Sequence, residues 1–157
     1  MKLNTSRFGE IAVSEDKFLR FDEGIPGLEE LKRFILVTTE ETEPFHWFQS
    51  IDSPDIALAV VDPLKLFPDY AVSVPEQTLG ELGIPEGGDM LVLTVAVVPR
   101  EFQNMTTNLV SPIIINPSNN RGRQVILENT PYLIRQPIFE ALQKFVAGGA
   151  DSAGADA

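Results

Sequence analysis

The sequence predicts an all-β fold, an antiparallel β-barrel-like single domain with a few short helices. Two observations lead to this prediction. The chain consists mostly of short apolar runs rich in Val, Ile and Phe, and Pro, Gly, Asn and Asp separate those runs. There are nine such runs, enough to close or nearly close a barrel, and closure hides the strand edges through which open sheets associate.

Each predicted strand is bounded by residues that favour turns. The predicted strands are 11–13, 17–21, 34–38, 46–50, 57–62, 71–74, 90–98, 113–116 and 124–127. Proline cannot donate to a central ladder, so the twelve prolines belong at strand ends and turns. Residues 119–122 (Asn-Asn-Arg-Gly) predict a tight hairpin turn, because Asn and Gly tolerate positive φ, so the last two strands should pair across it.

Three short helices are predicted, at 28–32, 75–82 and 139–146. The second has Pro75 in its first turn and Gly83 where a C-terminal glycine is favoured. The third carries apolar residues at the spacing of one helical face. That face either covers the end of the barrel or joins two copies of the chain, so the oligomeric state stays open.

The domain is predicted to span residues 1–147. Residues 148–157 hold no side chain larger than Asp, so they cannot bury enough apolar surface to offset the entropy of ordering, and a disordered tail is expected. The chain has no cysteine, which agrees with a reducing compartment. It also lacks the apolar stretch of a secretory signal or a membrane span. We therefore expect a cytoplasmic protein that binds no membrane.

Carboxylates are concentrated between Arg33 and Arg100, where eleven of them face one cation, Lys65. They are Glu40, Glu41, Glu43, Asp52, Asp55, Asp62, Asp69, Glu76, Glu81, Glu86 and Asp89. Such a field repels nucleic acid and attracts basic proteins. An acidic surface also keeps a domain soluble, so charge alone leaves both interpretations open. Its regional concentration favours a protein partner and no direct contact with nucleic acid.

The sequence lacks the usual components of catalytic sites. His46 is the single histidine and lies in an apolar run, so the sequence lacks the residues needed for a His-rich zinc site or a catalytic triad. The acidic segments 40–43 and 52–55 lack the order of a calcium loop. We therefore predict a non-enzymatic protein without cofactor or metal. The alternative is a small β-barrel enzyme or a ligand or cation carrier that uses carboxylates such as Asp62 and Asp69.

Several motifs of the chain closely resemble the FliW family of bacterial flagellar assembly factors. They are TSRFGEI (5–11), FDEGIPGLEELKRF (21–34), WFQSIDSPD (47–55), VDP (61–63), FPDY (67–70), MTTNL (105–109), PIIIN (112–116) and QVIL (124–127). They keep the family's order from about residue 5 to about residue 137. This collinearity makes the resemblance specific.

The resemblance implies a non-enzymatic, β-barrel-like protein that binds two partners in turn. Members of the family hold CsrA, an RNA-binding translational regulator, away from the flagellin message. They release CsrA when flagellin accumulates and takes its place, which ties flagellin synthesis to flagellin export. For this chain the implied partners are a CsrA-type regulator and flagellin.

Partner contacts are expected on loops that carry bulky aromatic, Met or Pro side chains, and on the polar residues around them. The predicted contact residues are Phe67, Pro68, Asp69, Tyr70, Met105, Thr106, Asn108, Pro112, Ile114 and Asn116. The alternative is structural: Phe67 and Tyr70 plug the barrel end, and Asn108 or Asn116 binds a turn backbone. Residues 113–115 alternate as a strand does, so at most one of their faces can meet a partner.

Overall fold

The computed structural model describes residues 1–38 and 44–156, with side chains as far as residue 147. The acidic segment 40–43, considered above as a cation site, lies outside the described residues, and so do its three glutamates.

Strands dominate the described chain, as predicted. The strands are β1 (Lys2–Thr5), β2 (Gly9–Ala12), β3 (Leu19–Arg20), β4 (Arg33–Thr38), β5 (Phe45–Ser50), β6 (Ala57–Val61), β7 (Leu91–Val97), β8 (Thr106–Thr107), β9 (Ile113–Asn116), β10 (Arg121–Gln124) and β11 (Gln136–Pro137). The helices are α1 (Pro63–Leu66), α2 (Glu76–Leu82) and α3 (Phe139–Asp156). Short 3₁₀ turns lie at Glu15–Lys17 and Phe102–Asn104. The predicted all-β class with few helices is confirmed.

Seven strands close a barrel in the order β3-β4-β5-β6-β7-β9-β10, with β10 returning to β3. Closure depends on the pairing of β7 with β9, which sets Leu91 opposite Ile115. Neighbours in the ring are antiparallel except β10 and β3, which run parallel and pair at Arg121 and Arg20. β8 and β11 extend the sheet beyond β7, and β1 pairs with β2 in a separate hairpin.

The barrel interior, which we call the barrel core, is built around three phenylalanines. Phe21, Phe34 and Phe48 are fully buried, with ring centroids 5.6 to 5.9 Å apart. Two of the three ring pairs meet edge to face, the arrangement that the ring quadrupole favours. Ile113 and Ile115 of β9 complete the same interior.

The hairpin turn between β9 and β10 lies two residues earlier than predicted, at 117–120. Asn120 takes the positive φ of 59°, and its N–H donates to the Asn116 carbonyl at 2.8 Å. Gly122 instead lies within β10, where a Cβ atom would be 2.8 Å from Cζ of Phe21. This glycine is therefore needed for close packing against a core ring and not for the turn.

Only the first residue of the strand predicted at 124–127 belongs to a strand ladder, as the last residue of β10. Two of its N–H groups still donate to the carbonyls of Pro112 and Val110, at 2.9 and 2.8 Å. The reciprocal bonds are missing because Pro112 has no N–H and the side-chain oxygen of Asn108 binds the N–H of Val110 at 3.0 Å. The segment 125–127 therefore stays extended but makes only half of the hydrogen bonds of a full antiparallel pairing with residues 110–112.

Two other segments differ from their predictions. The helix expected at 28–32 is instead a turn region that contains a β-bridge between Ile25 and Leu28, and Gly24 packs directly against the backbone of Glu29. The strand expected at 71–74 has no strand partner in the described chain. The short elements β1, β8, β11 and α1 were not predicted, since two to four residues carry little periodic signal.

Helix α2 forms as predicted, and Gly83 ends it with a φ of 73°. Helix α3 begins at the predicted Phe139 but has helical backbone to Asp156, beyond the expected end at residue 146. Alanine recurs through this stretch and has the highest helix propensity, which accounts for the longer helix. The division into a domain at 1–147 and a disordered tail at 148–157 stays a prediction.

Asp52 joins the loop after β5 to the start of β4. Its Oδ2 accepts hydrogen bonds from the backbone N–H groups of Lys32 and Arg33, both at 2.9 Å. Its Oδ1 lies 2.8 Å from Nη2 of Arg33, with which it forms an ion pair. Burial raises the pKa of Asp52, but the bonds from Lys32 and Arg33 together outweigh it and lower the pKa below the usual aspartate value.

We expect Gly122→Ala to lower the free energy of unfolding by about 1–3 kcal/mol, because the added methyl group overpacks Phe21. Gly80→Ala is the matched control, since a Cβ atom at that α2 position meets nothing within 4 Å. The control should raise stability by about 0.5–1 kcal/mol through lower chain entropy. Urea denaturation of both variants measures the difference, and equal stabilities would contradict the close approach.

The Asp52 contacts predict an acid-dependent loss of stability. Because the pKa is lowered on folding, the stabilisation is present above the unfolded-state value of about 4 and is lost as pH falls through the folded-state pKa. Asp52→Asn should therefore be less stable than the parent by about 1–2 kcal/mol at pH 7. The gap should narrow in denaturation curves measured toward pH 3, and a gap independent of pH would contradict the assignment.

Candidate functional site

The predicted contact loop at 67–70 borders a groove between α1 and α3, which we call the α1–α3 groove. Its volume is about 760 Å³. It is lined by Lys65, Leu66, Phe67, Pro68, Gln103, Gln136, Pro137, Phe139, Glu140, Ala141, Lys144 and Phe145. The loop after α1 forms one wall, and the first turns of α3 form the other.

The floor of the groove is a buried apolar cluster on the outside of the barrel. It consists of Val61, Leu66, Ala96, Met105, Ile138 and Leu142. β6 and β7 contribute the residues that alternate with those of the barrel core, so this cluster covers the outer face of the same two strands. The N–H of Ile138 donates to the Met105 carbonyl at 3.1 Å and fixes the start of α3. The floor is therefore held by both packing and hydrogen bonding.

The α1–α3 groove is lined by aromatic side chains and by more lysines than carboxylates, whereas the chain as a whole is acidic. Its aromatic walls are Phe67, Phe139 and Phe145, each half-buried. Lys65 and Lys144 lie among the lining residues with a single carboxylate, Glu140. Such a groove can take an apolar segment of another protein, and Lys144 can meet a carboxylate beside it.

The predicted contact residues divide by exposure. Phe67 and Pro68 line the α1–α3 groove, and Asp69 follows them on the surface. Thr106 and Asn108 are half-buried. These five residues are exposed enough to contact a partner, and that contact stays a prediction.

The other half of the set is buried, which corrects the expectation that bulky loop residues lie on the surface. The buried members are Tyr70, Met105, Pro112, Ile114 and Asn116. The sequence allows at most one face of residues 113–115 to meet a partner, and in the structure β9 is buried on both faces. The cause is a second outer cluster, the α2 cluster, formed by Tyr70, Leu82, Ile84, Val92, Leu109, Ile114 and Val125.

Tyr70 and Asn116 have structural roles, although Tyr70 packs in the outer α2 cluster and not at the barrel end. The Tyr70 hydroxyl donates to the Leu109 carbonyl at 2.7 Å, and its ring meets that of Tyr132 at 4.8 Å. Burial, with a smaller contribution from Tyr132, raises the pKa of Tyr70 well above the usual tyrosine value. The Asn116 amide donates to the Leu82 carbonyl at 2.9 Å and so satisfies the end of α2.

Known proteins match almost the whole chain. The family model described as FliW protein matches residues 2–138. The flagellar assembly factor FliW of Caldanaerobacter subterraneus subsp. tengcongensis is 46% identical over 144 residues, which cover 91% of this chain and 96% of that protein. The chain belongs to the FliW family. The counterpart from Thermoanaerobacter pseudethanolicus is 43% identical over the same share of both chains.

A solved structure supports the same assignment at the level of the fold. The crystal structure of a flagellar assembly factor FliW superimposes with a TM-score of 0.82 and 34% sequence identity. The match covers 88% of this chain and 97% of that chain. The resemblance inferred from the motifs is therefore confirmed, and the barrel is the fold of a FliW family member.

The exposed carboxylates of this FliW barrel divide into unpaired and paired ones. Asp69, Glu76, Glu86 and Asp89 are exposed, and they take part in no ion pair with a described residue. By contrast, Arg121 pairs with Asp22 at 2.8 Å, while Arg123 contacts both Glu23 and Glu81. The two arginines therefore join β10 to α2 and to the loop after β3.

Carboxylates elsewhere do not form a metal centre in the part of the chain that the structure describes. No group of three or more His, Cys, Asp or Glu side chains lies close enough there to hold a metal ion. Among the described helices, none has the length and hydropathy needed to traverse a bilayer.

The burial of Met105 beneath the groove predicts a loss of stability on truncation. Met105→Ala should lower the free energy of unfolding by about 2–4 kcal/mol through the cavity it leaves. Phe102→Ala is the control, because that side chain is 61% exposed in the adjacent 3₁₀ turn and should change stability by less than about 0.5 kcal/mol. Urea denaturation distinguishes them. A Met105→Ala protein as stable as the parent would show that the floor is not packed.

Proposed function

We propose that this chain is a flagellar assembly factor that acts by binding other proteins, in the cytoplasm and without catalysis. The observation that carries the proposal is the family match over residues 2–138, which includes every strand of the barrel. Relatives that cover nearly the same length bear the name flagellar assembly factor. The proposed function is therefore inferred from similarity over the whole fold and not from one local motif.

In the finer form of the proposal the chain binds a CsrA-type translational regulator and releases it when flagellin binds. Flagellin translation would then follow flagellin export. The charge distribution supports the first partner, because an RNA-binding regulator carries basic surface for phosphate and the exposed carboxylates of this chain attract such a surface. The same carboxylates disfavour direct binding of nucleic acid by the chain itself.

The α1–α3 groove supports a second partner with different requirements. Its aromatic walls and Lys144 suit an apolar segment that carries a carboxylate, and a basic surface would find a single lining carboxylate there, Glu140. We assign this groove to flagellin and the exposed carboxylates to the regulator. Two surfaces of unlike chemistry would let one chain recognise both proteins.

The proposal is tested by reconstitution from purified components. The chain should bind the regulator, and flagellin added to the complex should displace the regulator in size-exclusion chromatography. A groove variant, Phe67→Glu with Phe145→Glu, should keep the regulator and lose displacement by flagellin. Absence of regulator binding by the parent chain would refute the finer proposal, and displacement by the groove variant would refute the assignment of the groove.

Electrostatic steering predicts a rate effect. Asp69→Lys combined with Glu76→Lys reverses two exposed charges outside the buried clusters, so the fold should persist. Association with the regulator should slow about tenfold at low salt and converge with the parent as salt rises. Stopped-flow fluorescence measures the rates. Glu15→Lys with Glu30→Lys changes net charge equally at other exposed positions and should slow association less. Equal slowing by both pairs would contradict a local acidic surface.

A further inference from the structure

A second groove lies between the segments 71–75 and 126–132, on the side of the barrel covered by the α2 cluster. We call it the 73–128 groove; its volume is about 540 Å³. Neither segment belongs to a strand ladder, although the sequence predicts a strand within each. In both segments, residues with strand-forming sequence have no partner strand in the described chain.

The first segment has the alternation of a strand. Val72 and Val74 pack against the α2 cluster, whereas Ala71, Ser73 and Pro75 line the groove. Successive side chains of an extended chain point to opposite faces, so this segment is a strand in conformation. The groove-facing residues are small, which lets another backbone approach closely.

The backbone of both segments has hydrogen-bonding capacity left over. No backbone hydrogen bond to another described residue is made by positions 72–74, nor by Ile126 or Glu128. Their neighbours on the second segment bind residues 110–112 on the other side, so these groups point away from the existing sheet. Free N–H and C=O groups along an extended segment are the template for adding a strand from another chain.

One end of the groove is closed and the other presents an apolar anchor. The Tyr132 hydroxyl accepts the N–H of Ala71 at 2.8 Å and ties the segments together there. Ile126 lines the groove, and its side chain is 69% exposed. An isoleucine so exposed beside free backbone groups suits an apolar side chain of an incoming strand.

The charge of the groove selects the kind of strand. Glu128 lines it, the exposed Glu76 follows the lining residue Pro75, and the lining includes no Lys or Arg. We propose that the 73–128 groove binds an extended basic segment of the regulator, added as a strand with lysine or arginine near Glu76 and Glu128. The identity of that partner rests on the proposed function.

The test uses the full chain and the regulator, with affinity measured by isothermal titration calorimetry. Ser73→Trp fills the groove and Glu128→Lys reverses its charge, and each should weaken binding about tenfold or more. The control Glu15→Lys makes the same charge change at an exposed position outside the groove and should leave affinity within about twofold. Circular dichroism confirms that each variant is folded.

A peptide probe separates the groove from the rest of the interface. An octapeptide of alternating valine and lysine should bind the parent chain, and Ser73→Trp should abolish that binding. Alternating valine and glutamate should not bind. If the regulator binds every variant like the parent, or the basic peptide does not bind, the groove assignment is wrong while the proposed function stands. If the regulator does not bind the parent chain, both are wrong.

Discussion

The close approach of β10 to Phe21 is the constraint on which the rest of the structure depends. Only a residue without a side chain fits at Gly122, because the Phe21 ring occupies the space that a Cβ atom would need. The same strand pairs with β3 at Arg121 and Arg20, one of the pairings that complete the ring of seven strands. A closed ring gives every strand an inner and an outer face, and apolar residues on the outer face also need to be covered.

The coverage of the outer face determines where the surface grooves lie. β9 uses Ile113 and Ile115 for the barrel core and turns Ile114 outward into the α2 cluster. β6 and β7 do the same with the cluster beneath α3. Because loops and short helices supply this outer layer, they leave the α1–α3 groove and the 73–128 groove at their borders. The grooves therefore follow from closing a small barrel and covering it with short elements.

Sequence patterns predicted the elements that depend on local chemistry. Alternating apolar runs identified the long strands, and Pro75 with Gly83 identified α2. They failed where tertiary contacts decide the outcome. Gly122 has the composition of a turn residue but packs against a ring, and Pro112 with Asn108 removes half of the ladder expected at 124–127. The parallel pairing of β10 with β3 likewise joins residues about one hundred positions apart and has no local signal.

The candidate site was predictable only in part, because loop position does not determine burial. Phe67 and Pro68 line a groove, but Tyr70, two residues further on, is buried in the α2 cluster, while Lys144 lines the same groove from the far end of the chain. This short segment also connects the two grooves, since Phe67 lines one and Ala71 lines the other. The proposed exchange of partners would therefore need no shared contact surface. A ligand that holds residues 67–71 differently in one groove changes the affinity of the other, provided it prefers one arrangement of that segment.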